Sequence, residues 1–249
     1  MDLSGCAALV TGGSGDLGRA IALALADAGA DVAVTWIDSK DRASGTCRRV
    51  AARGRRTAMT QLDQSDTASI EAAIETVVDE FGRLDILVNN AGWNAGVPFR
   101  DLDALTVDIW DHIHDVNLRG PFFLARAAAR HLRARGAGRI VNVASVAGLR
   151  PAGSSIAYAV AKAGVIHLTR CLAVALAPEI TVNCVAPGLM EGTRMFKRLP
   201  TEVVESTRRL AVLQRSTAIE DVAAQVVAFC RADSVTGQVL NIDAGVHFH

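Results

Sequence analysis

The sequence predicts an α/β fold in which helices cover both faces of one doubly wound parallel sheet. Short apolar runs rich in β-branched residues alternate along the chain with longer stretches of helical period. The short runs are apolar throughout and are bounded by Gly, Asp or Asn, as is typical of strands buried on both faces. The 249 residues, half of them apolar, can form one large core, so we expect a single domain over residues 1–249.

Seven runs have the length and composition of buried strands. They are residues 7–11, 32–36, 57–61, 86–89, 139–143, 181–185 and 238–242. Five stretches between them have the period of a helix with one apolar face. They are residues 17–28, 66–81, 118–135, 156–177 and 219–231. A polar segment at about 190–215 breaks the alternation, and we expect it to form a substrate loop over the cleft at the strand ends.

Charge and composition exclude several classes of partner. Lys plus Arg equals Asp plus Glu, 26 of each, which gives no reason to expect a nucleic acid. Five scattered cysteines contain no CxxC pair and indicate a reducing compartment. The sequence shows no signal peptide, and no apolar run is read as long enough to span a membrane, so a cytoplasmic location is expected. No metal is expected, because His112 and His114 lie on different faces of a helix.

A glycine-rich turn follows the first predicted strand, in the stretch Thr11-Gly12-Gly13-Ser14-Gly15-Asp16-Leu17-Gly18. Glycines permit a tight turn and let the backbone approach a diphosphate at the start of the next helix. There the free N–H groups and the helix dipole favour an anion. The placement between a strand and an alanine-rich helix therefore indicates a dinucleotide site, and an ordinary turn is the alternative.

Tyr158 and Lys162 lie four residues apart in a predicted helix, so their side chains share one face. A phenol with its reference pKa of roughly 10 is a poor base at neutral pH, and a neighbouring ammonium favours its ionised form. Ser145 ends the fifth predicted strand, where a parallel sheet meets its ligands. Its surroundings, Ala-Ser-Val-Ala-Gly, do not match the turn of a serine nucleophile.

These motifs resemble the short-chain dehydrogenase/reductase family over nearly the whole chain. The glycine turn is followed by Asn89-Asn90-Ala91-Gly92, by Asn117, by Ser145, by Tyr158 with Lys162, and by Pro187-Gly188, in the family's order and spacing. The resemblance implies a seven-stranded, Rossmann-like sheet in a homotetramer or homodimer. It also implies an NAD(P)(H)-dependent oxidoreductase that interconverts a carbonyl, of the ketone or 3-oxoacyl type, and a secondary alcohol by hydride transfer.

The resemblance also implies roles for individual residues. Tyr158 acts as the general acid/base, Ser145 orients the substrate oxygen, Lys162 lowers the tyrosine pKa and contacts the nicotinamide ribose, and Asn117 holds a water next to Lys162. The expected cofactor-binding set lines the ends of the strands. It comprises Gly12, Ser14, Asp16, Leu17, Gly18, Ile37, Asp63, Gln64, Asn90, Ala91, Gly92, Tyr158, Lys162, Pro187, Gly188 and Met190.

The sequence departs from the family at Asp16, which occupies the place of a glycine in the turn. In one account Asp16 starts the helix and faces away from the diphosphate, favoured by the dipole. In the other, the loop is shifted and Gly15 makes the turn. We prefer the first account, because Leu17 and Gly18 keep their spacing.

The end of the second strand bears on the choice of cofactor. Members of the family that use NAD have an acidic residue there. This chain has Trp36 followed by Ile37, and Asp38 comes one or two positions after the usual acidic position. Lys40 and Arg42 could reach a phosphate. NADP(H) is therefore the predicted cofactor, with NAD(H) as the alternative. Two other functions stay open at this point, namely a catalytically silent dinucleotide-binding regulator and an epimerase or dehydratase on the same fold.

Overall fold

The computed structural model describes residues 1–194, 196–198 and 201–248. Seven parallel strands form one sheet in the order β3-β2-β1-β4-β5-β6-β7. The strands are β1 (Ala7–Val10), β2 (Asp31–Trp36), β3 (Thr57–Gln61), β4 (Ile86–Asn89), β5 (Gly138–Val143), β6 (Ile180–Pro187) and β7 (Val239–Ile242). The doubly wound α/β prediction is confirmed. The strand order reverses between β1 and β4, and such a switch point opens a crevice at the carboxyl ends of the strands.

The helices are α1 (Asp16–Asp27), α2 (Lys40–Ala51), α3 (Thr67–Phe81), α4 (Val107–His114), α5 (Gly120–Arg133), α6 (Ile156–Ala175), α7 (Thr201–Leu210) and α8 (Ile219–Arg231). The five helical stretches predicted from the sequence did not include α2, α4 or α7. Helix α2 is largely polar and buries only Ala43, Thr46 and Val50, while α4 buries only Ile113. Helix α2 is polar on average and α4 is only 8 residues long, so neither is a long apolar stretch in the sequence. Helix α7 occupies part of the predicted substrate loop.

The two faces of the sheet pack against separate apolar clusters. On β1, Ala8 and Val10 belong to the cluster beneath α1 and α8, whereas Ala7 and Leu9 belong to the cluster beneath α3 and α5. Successive strand residues point to opposite faces, so burying both faces favours apolar residues at most positions of each strand. This explains the continuous apolar runs in the sequence. It also makes the sheet a rigid base for the residues that follow its strands.

Helix α6 corrects one expectation from the sequence. Within the described residues it is the one helix that is long and apolar enough to cross a membrane by length and composition. Half of its most apolar stretch is buried inside the fold. The central helix of a globular protein has the same composition, because it packs on a sheet.

Candidate active site

The predicted site residues follow neighbouring strands at one edge of the sheet. Thr11 and Gly12 follow β1, Asn90 follows β4, Ser145 follows β5 and Gly188 follows β6. Because parallel strands end at a common edge, residues that are far apart in sequence meet at the switch point. The structure therefore brings the glycine turn and the Ser145 region to the same crevice.

The glycine turn is held by side chains from β2 and α2. The Gly12 N–H donates to Thr35 Oγ1 at 3.0 Å, and Thr46 Oγ1 donates to the Gly13 carbonyl at 2.9 Å. Gly12 has a φ of +67°, and a Cβ there would lie 2.9 Å from the Ala91 Cα. A Cβ on Gly18 would lie 2.4 Å from the Gly12 carbonyl oxygen. Both positions need glycine, because the backbone of the turn packs directly on its neighbours.

Asp16 is the first residue of α1, which confirms the preferred account of this turn. Its Oδ1 accepts from Arg42 Nη2 at 3.0 Å and lies 3.4 Å from Arg19 Nη2. Its Oδ2 accepts from the backbone N–H of Arg194 at 2.9 Å. The carboxylate is thus turned toward protein donors, and its place in the first helical turn is favoured by the dipole.

The Asn90–Gly92 segment is tied to the glycine turn. Thr11 Oγ1 accepts from the N–H groups of Asn90 and Ala91, at 3.0 and 2.9 Å. Asn90 Nδ2 donates to the Thr11 carbonyl at 2.8 Å. Gln64 is buried, and its Nε2 donates to the carbonyls of Ala91 and Val116. Gln64 therefore fixes this segment through its side chain, a role that the sequence did not indicate.

Tyr158 is half-buried on the first turn of α6. Ser155 caps this helix by accepting from the Tyr158 N–H at 3.2 Å, so the cap sets where the tyrosine enters the crevice. Burial raises the pKa of Tyr158 to about 12, opposed by a hydrogen bond with Ser145. The phenol is consequently protonated at neutral pH in the free protein and can act as a proton donor.

Lys162 lies one turn further along α6. Its Nζ donates to the Val143 carbonyl at 3.0 Å and lies 5.6 Å from the centre of the Tyr158 ring. Burial lowers the pKa of Lys162 to about 8. In the cofactor-free protein the two groups shift in the directions that favour their neutral forms, since each loses hydration. The expectation that Lys162 lowers the pKa of Tyr158 is therefore not met in the cofactor-free protein, where that pKa is raised.

Asn117 lies in a π-helical turn, Asp115–Arg119, that joins α4 to α5. Its Nδ2 donates to the carbonyls of Trp93 and Ile113, at 2.6 and 2.9 Å. Its Oδ1 is buried and has no hydrogen-bond partner among the described residues. A Cβ on Gly92 would lie 2.7 Å from that oxygen and 3.7 Å from Lys162 Nζ. The orphaned oxygen, Gly92 and Lys162 therefore share one small space, which suits a bridging water.

Buried amides fix the strands that carry the site. Asn89 Nδ2 donates to Asn142 Oδ1 at 2.8 Å, and Asn142 Nδ2 donates to Thr169 Oγ1 at 2.9 Å. This chain runs from β4 through β5 to α6. Because each buried amide needs its partner, the chain holds α6 at a defined height over the sheet.

The segment that follows β6 is also tightly packed. The Gly188 N–H donates to the Ile242 carbonyl at 2.9 Å, and a Cβ on Gly188 would lie 2.8 Å from the Asp243 Cβ. Met190 pairs with Thr217 in an isolated parallel bridge. The start of the predicted substrate loop is thereby anchored beside β7.

A nicotinamide dinucleotide fits the residues of the crevice. The glycine turn presents the start of α1 to a diphosphate, and Gly15, which precedes that helix, supplies no side-chain cap. At the end of β2, Ile37 is exposed. The Lys40 Nζ lies over the Trp36 ring, 5.8 Å from its centre. Arg42 Nη1 is buried and has no hydrogen-bond partner in the described part of the chain. A phosphate oxygen would satisfy that group.

Other reactive groups lie outside this crevice or are unreactive. Burial raises the pKa of Cys184 to about 11 and that of Cys230 to about 12, so both thiols are protonated. Across residues 1–194, 196–198 and 201–248, no group of three or more His, Cys, Asp or Glu side chains could hold a metal ion. Sequence reasoning missed Thr35 and Thr46 as supports of the site, and it placed Ser155 near the substrate without predicting that Ser155 caps α6. Only the cap position of Ser155, three residues before Tyr158, had a readable signal.

The fold and the site together define a class: a doubly wound dinucleotide-binding enzyme with a tyrosine and a lysine on one helix beside the crevice. A family model described as enoyl-(acyl carrier protein) reductase matches residues 13–247. A Streptomyces violaceoruber protein assigned as ketoacyl reductase 2 of the granaticin polyketide synthase is 40% identical, over 96% of this chain and 95% of its own length. The 3-oxoacyl-[acyl-carrier-protein] reductase FabG of Staphylococcus aureus is 37% identical, over 96% and 97%.

Solved structures agree with these relatives. A short-chain dehydrogenase from Burkholderia cenocepacia in complex with NADP is 39% identical with a TM-score of 0.91, and the match covers 99% of each chain. An NAD⁺-bound xylitol dehydrogenase is 28% identical with a TM-score of 0.92, over 98% of this chain and 100% of that one. The chain belongs to the short-chain dehydrogenase/reductase family. It is an NAD(P)-dependent oxidoreductase of the carbonyl–alcohol type.

Proposed function

We propose that this protein reduces a ketone, of the 3-oxoacyl type, with NADPH, and that Tyr158 supplies the proton. One observation carries the role of Tyr158: its phenol lies in the crevice beside Ser145 and is protonated at neutral pH, with a pKa raised to about 12. A protonated phenol is the form that a carbonyl reduction consumes. The names of the ketoacyl reductases from Streptomyces and Staphylococcus support the substrate class.

In the proposed reaction, Ser145 and Tyr158 both hydrogen-bond the substrate carbonyl oxygen. The cofactor supplies the hydride when bound. Tyr158 donates its proton to the oxygen as negative charge develops there. Lys162 places an ammonium below the phenol, where it stabilises the phenolate that remains. The buried Asn117 Oδ1 and the space beside Gly92 support a water that returns a proton through Lys162.

The cofactor-binding set is also part of the proposal. Backbone groups from Gly12 to Gly18 hold the diphosphate at the start of α1, and the Asn90–Gly92 and Pro187–Met190 segments border the two riboses and the nicotinamide. Asp63 and the backbone at Gln64 border the adenine. The orphaned Arg42 Nη1 and the nearby Lys40 support NADP(H) over NAD(H), because both are cations at the adenosine end.

The assembly and the location belong to the same proposal. Exposed apolar side chains occur on α5 and α6, with Phe122, Val160 and Val174 exposed by 41, 46 and 83%. Such a surface supports a homotetramer or homodimer, and we expect the enzyme to work in the cytoplasm. A catalytically silent regulator is disfavoured by the complete set of site residues. An epimerase or dehydratase would show no net consumption of reduced cofactor.

Replacing Tyr158 with Phe tests the proposed acid. Tyr158→Phe removes one hydroxyl from a half-buried ring, so we expect kcat for ketone reduction to fall by about 10²–10⁴-fold. The measurement is the loss of NADPH absorbance with a 3-oxoacyl thioester and with a simple ketone as substrates. Binding of NADPH, followed by its fluorescence, should be retained and serves as the control for folding. Unchanged turnover in the variant would rule out the mechanism.

Replacing Arg42 tests the choice of cofactor. We expect kcat/KM to favour NADPH over NADH in the wild-type protein. Arg42→Met should lower kcat/KM for NADPH by about tenfold and that for NADH by a smaller factor, because the lost pair with Asp16 affects both cofactors and the lost 2′-phosphate partner affects NADPH alone. Arg133→Met, at the far end of α5, is the matched control and should change neither value. A wild-type preference for NADH would contradict this assignment.

A further inference from the structure

Asp16 joins three parts of the molecule that are distant in sequence. Its Oδ2 accepts from the backbone N–H of Arg194 at 2.9 Å, across 178 positions of the chain. Its Oδ1 accepts from Arg42 of α2 at 3.0 Å. Asp16 itself starts α1, next to the glycine turn. One carboxylate therefore connects the glycine turn, α2 and the segment that follows β6.

The carboxylate is well placed to hold these parts together. Its side chain is only 15% exposed, so water competes little for its oxygens. Hydrogen bonds from N–H groups to an ionised carboxylate are stronger than those between neutral groups. The position in the first turn of α1 also favours the negative charge. The contact to Arg194 is thus stronger than a typical loop contact.

Arg194 belongs to a segment that is also held at its beginning, by Thr217 and by the ion pair of Glu191 with Arg208 at 2.7 Å. The Glu191 N–H donates to the Thr217 carbonyl at 3.2 Å, and Met190 pairs with Thr217. Thr193 is buried and its Oγ1 donates to the Met190 carbonyl at 3.0 Å, which makes a local turn. Beyond this turn, the hydrogen bond from the Arg194 N–H to Asp16 connects the segment that follows β6 to the start of α1.

We infer that Asp16 is a positioning residue that holds the 190–194 segment closed over the cofactor diphosphate and thereby sets how long the cofactor stays bound. This inference rests on the proposed function, which puts the diphosphate at the glycine turn. With the diphosphate on the backbone of that turn, a segment running from Gly188 to a contact with Asp16 passes over it. Breaking that contact opens one wall of the cofactor site.

The test is the rate of NADPH dissociation, measured by stopped-flow displacement with excess NADP⁺. Asp16→Gly removes both oxygens and should raise the dissociation rate by about tenfold. Asp16→Asn keeps one neutral oxygen for the Arg194 N–H and should raise it by a smaller factor. The matched control is Asp27→Asn, which breaks the pair with Arg53 at the other end of α1 and should leave the rate unchanged.

Steady-state kinetics separates positioning from a general loss of structure. With the segment released, KM for NADPH should rise while kcat is kept or increased, because a faster release of cofactor cannot slow turnover. A merely structural role would lower kcat together with the melting temperature. Asp16→Asn, which keeps the shape of the side chain, makes this comparison even where Asp16→Gly folds poorly.

Two results would overturn the inference, and they are distinguishable. Dissociation rates within about twofold of wild type in both Asp16 variants, with NADPH bound and Tyr158→Phe inactive, would refute the positioning role alone. A wild-type protein that binds neither NADPH nor NADH would refute the proposed function and the positioning role together.

Discussion

At the residue scale, the same buried environment shifts the pKa values of Tyr158 and Lys162 in opposite directions. Burial raises the pKa of Tyr158 to about 12 and lowers that of Lys162 to about 8. The phenol therefore holds its proton through the physiological range, whereas the ammonium is close to its titration. In the free enzyme the lysine is the group whose charge changes first as the pH rises.

This difference predicts the pH dependence of the reduction. The ammonium of Lys162 is present below its lowered pKa of about 8 and is lost as the pH rises through that value. Because its charge stabilises the phenolate, kcat/KM for ketone reduction should be flat below about pH 7 and decline above pH 8. The measurement is kcat/KM over pH 6–10 with saturating NADPH. A profile that stays flat to pH 10 would contradict the role of the ammonium.

At the scale of elements, the start of α1 depends on glycines that pack against backbone. Gly18→Ala would put a Cβ 2.4 Å from the Gly12 carbonyl oxygen. We expect a loss of about 1–3 kcal/mol in the free energy of unfolding, because a rigid backbone must shift. NADPH affinity should fall as well. Chemical denaturation and cofactor titration measure the two effects.

Gly45 is the matched control, since it is also a glycine inside a helix. A Cβ there would come no closer than 3.7 Å to Arg48 Nη2, the end of a flexible side chain. Gly45→Ala should therefore raise the free energy of unfolding by up to about 1 kcal/mol, through helix propensity alone. Equal effects of the two substitutions would show that the packing at Gly18 is unimportant.

At the scale of the whole molecule, one face of α6 packs inside the fold and the other is exposed. One face buries Lys162, Val165 and Leu172 in the fold, and the other leaves Val160 and Val174 exposed. An exposed apolar face on the helix that carries the site would link assembly to activity. The proposed homo-oligomer makes this link testable.

Val174→Asp puts a charge on the most exposed of these side chains. We expect it to shift the protein to a smaller species, because a charge buried in an interface without a partner is costly. The measurement is molar mass by light scattering over a range of protein concentrations. Leu102→Asp, at an exposed apolar residue in the loop before α4, is the control and should not change the mass. A wild-type monomer would rule out the assembly.

Much of the fold could be predicted because its signals are local. Strands buried on both faces read as continuous apolar runs, and all seven were found within a few residues of their observed bounds. Helices α2 and α4 were not among the five predicted stretches, since α2 is largely polar and α4 is only 8 residues long. Helix α6 was predicted as a helix, although by length and composition it is also long and apolar enough to cross a membrane.

The sequence alone determined the sheet and the glycine turn, because each depends on residue type and spacing along the chain, and its resemblance to the family predicted the Ser145–Tyr158–Lys162 set. The tertiary structure decided how deeply those residues are buried and which distant residues contact them. Only packing shows that burial raises the pKa of Tyr158 and lowers that of Lys162. Only the folded chain brings the Arg194 N–H to Asp16, which explains how an acid is accommodated beside a diphosphate site. Desolvation and long-range contacts are properties of the folded chain, so no local pattern records them.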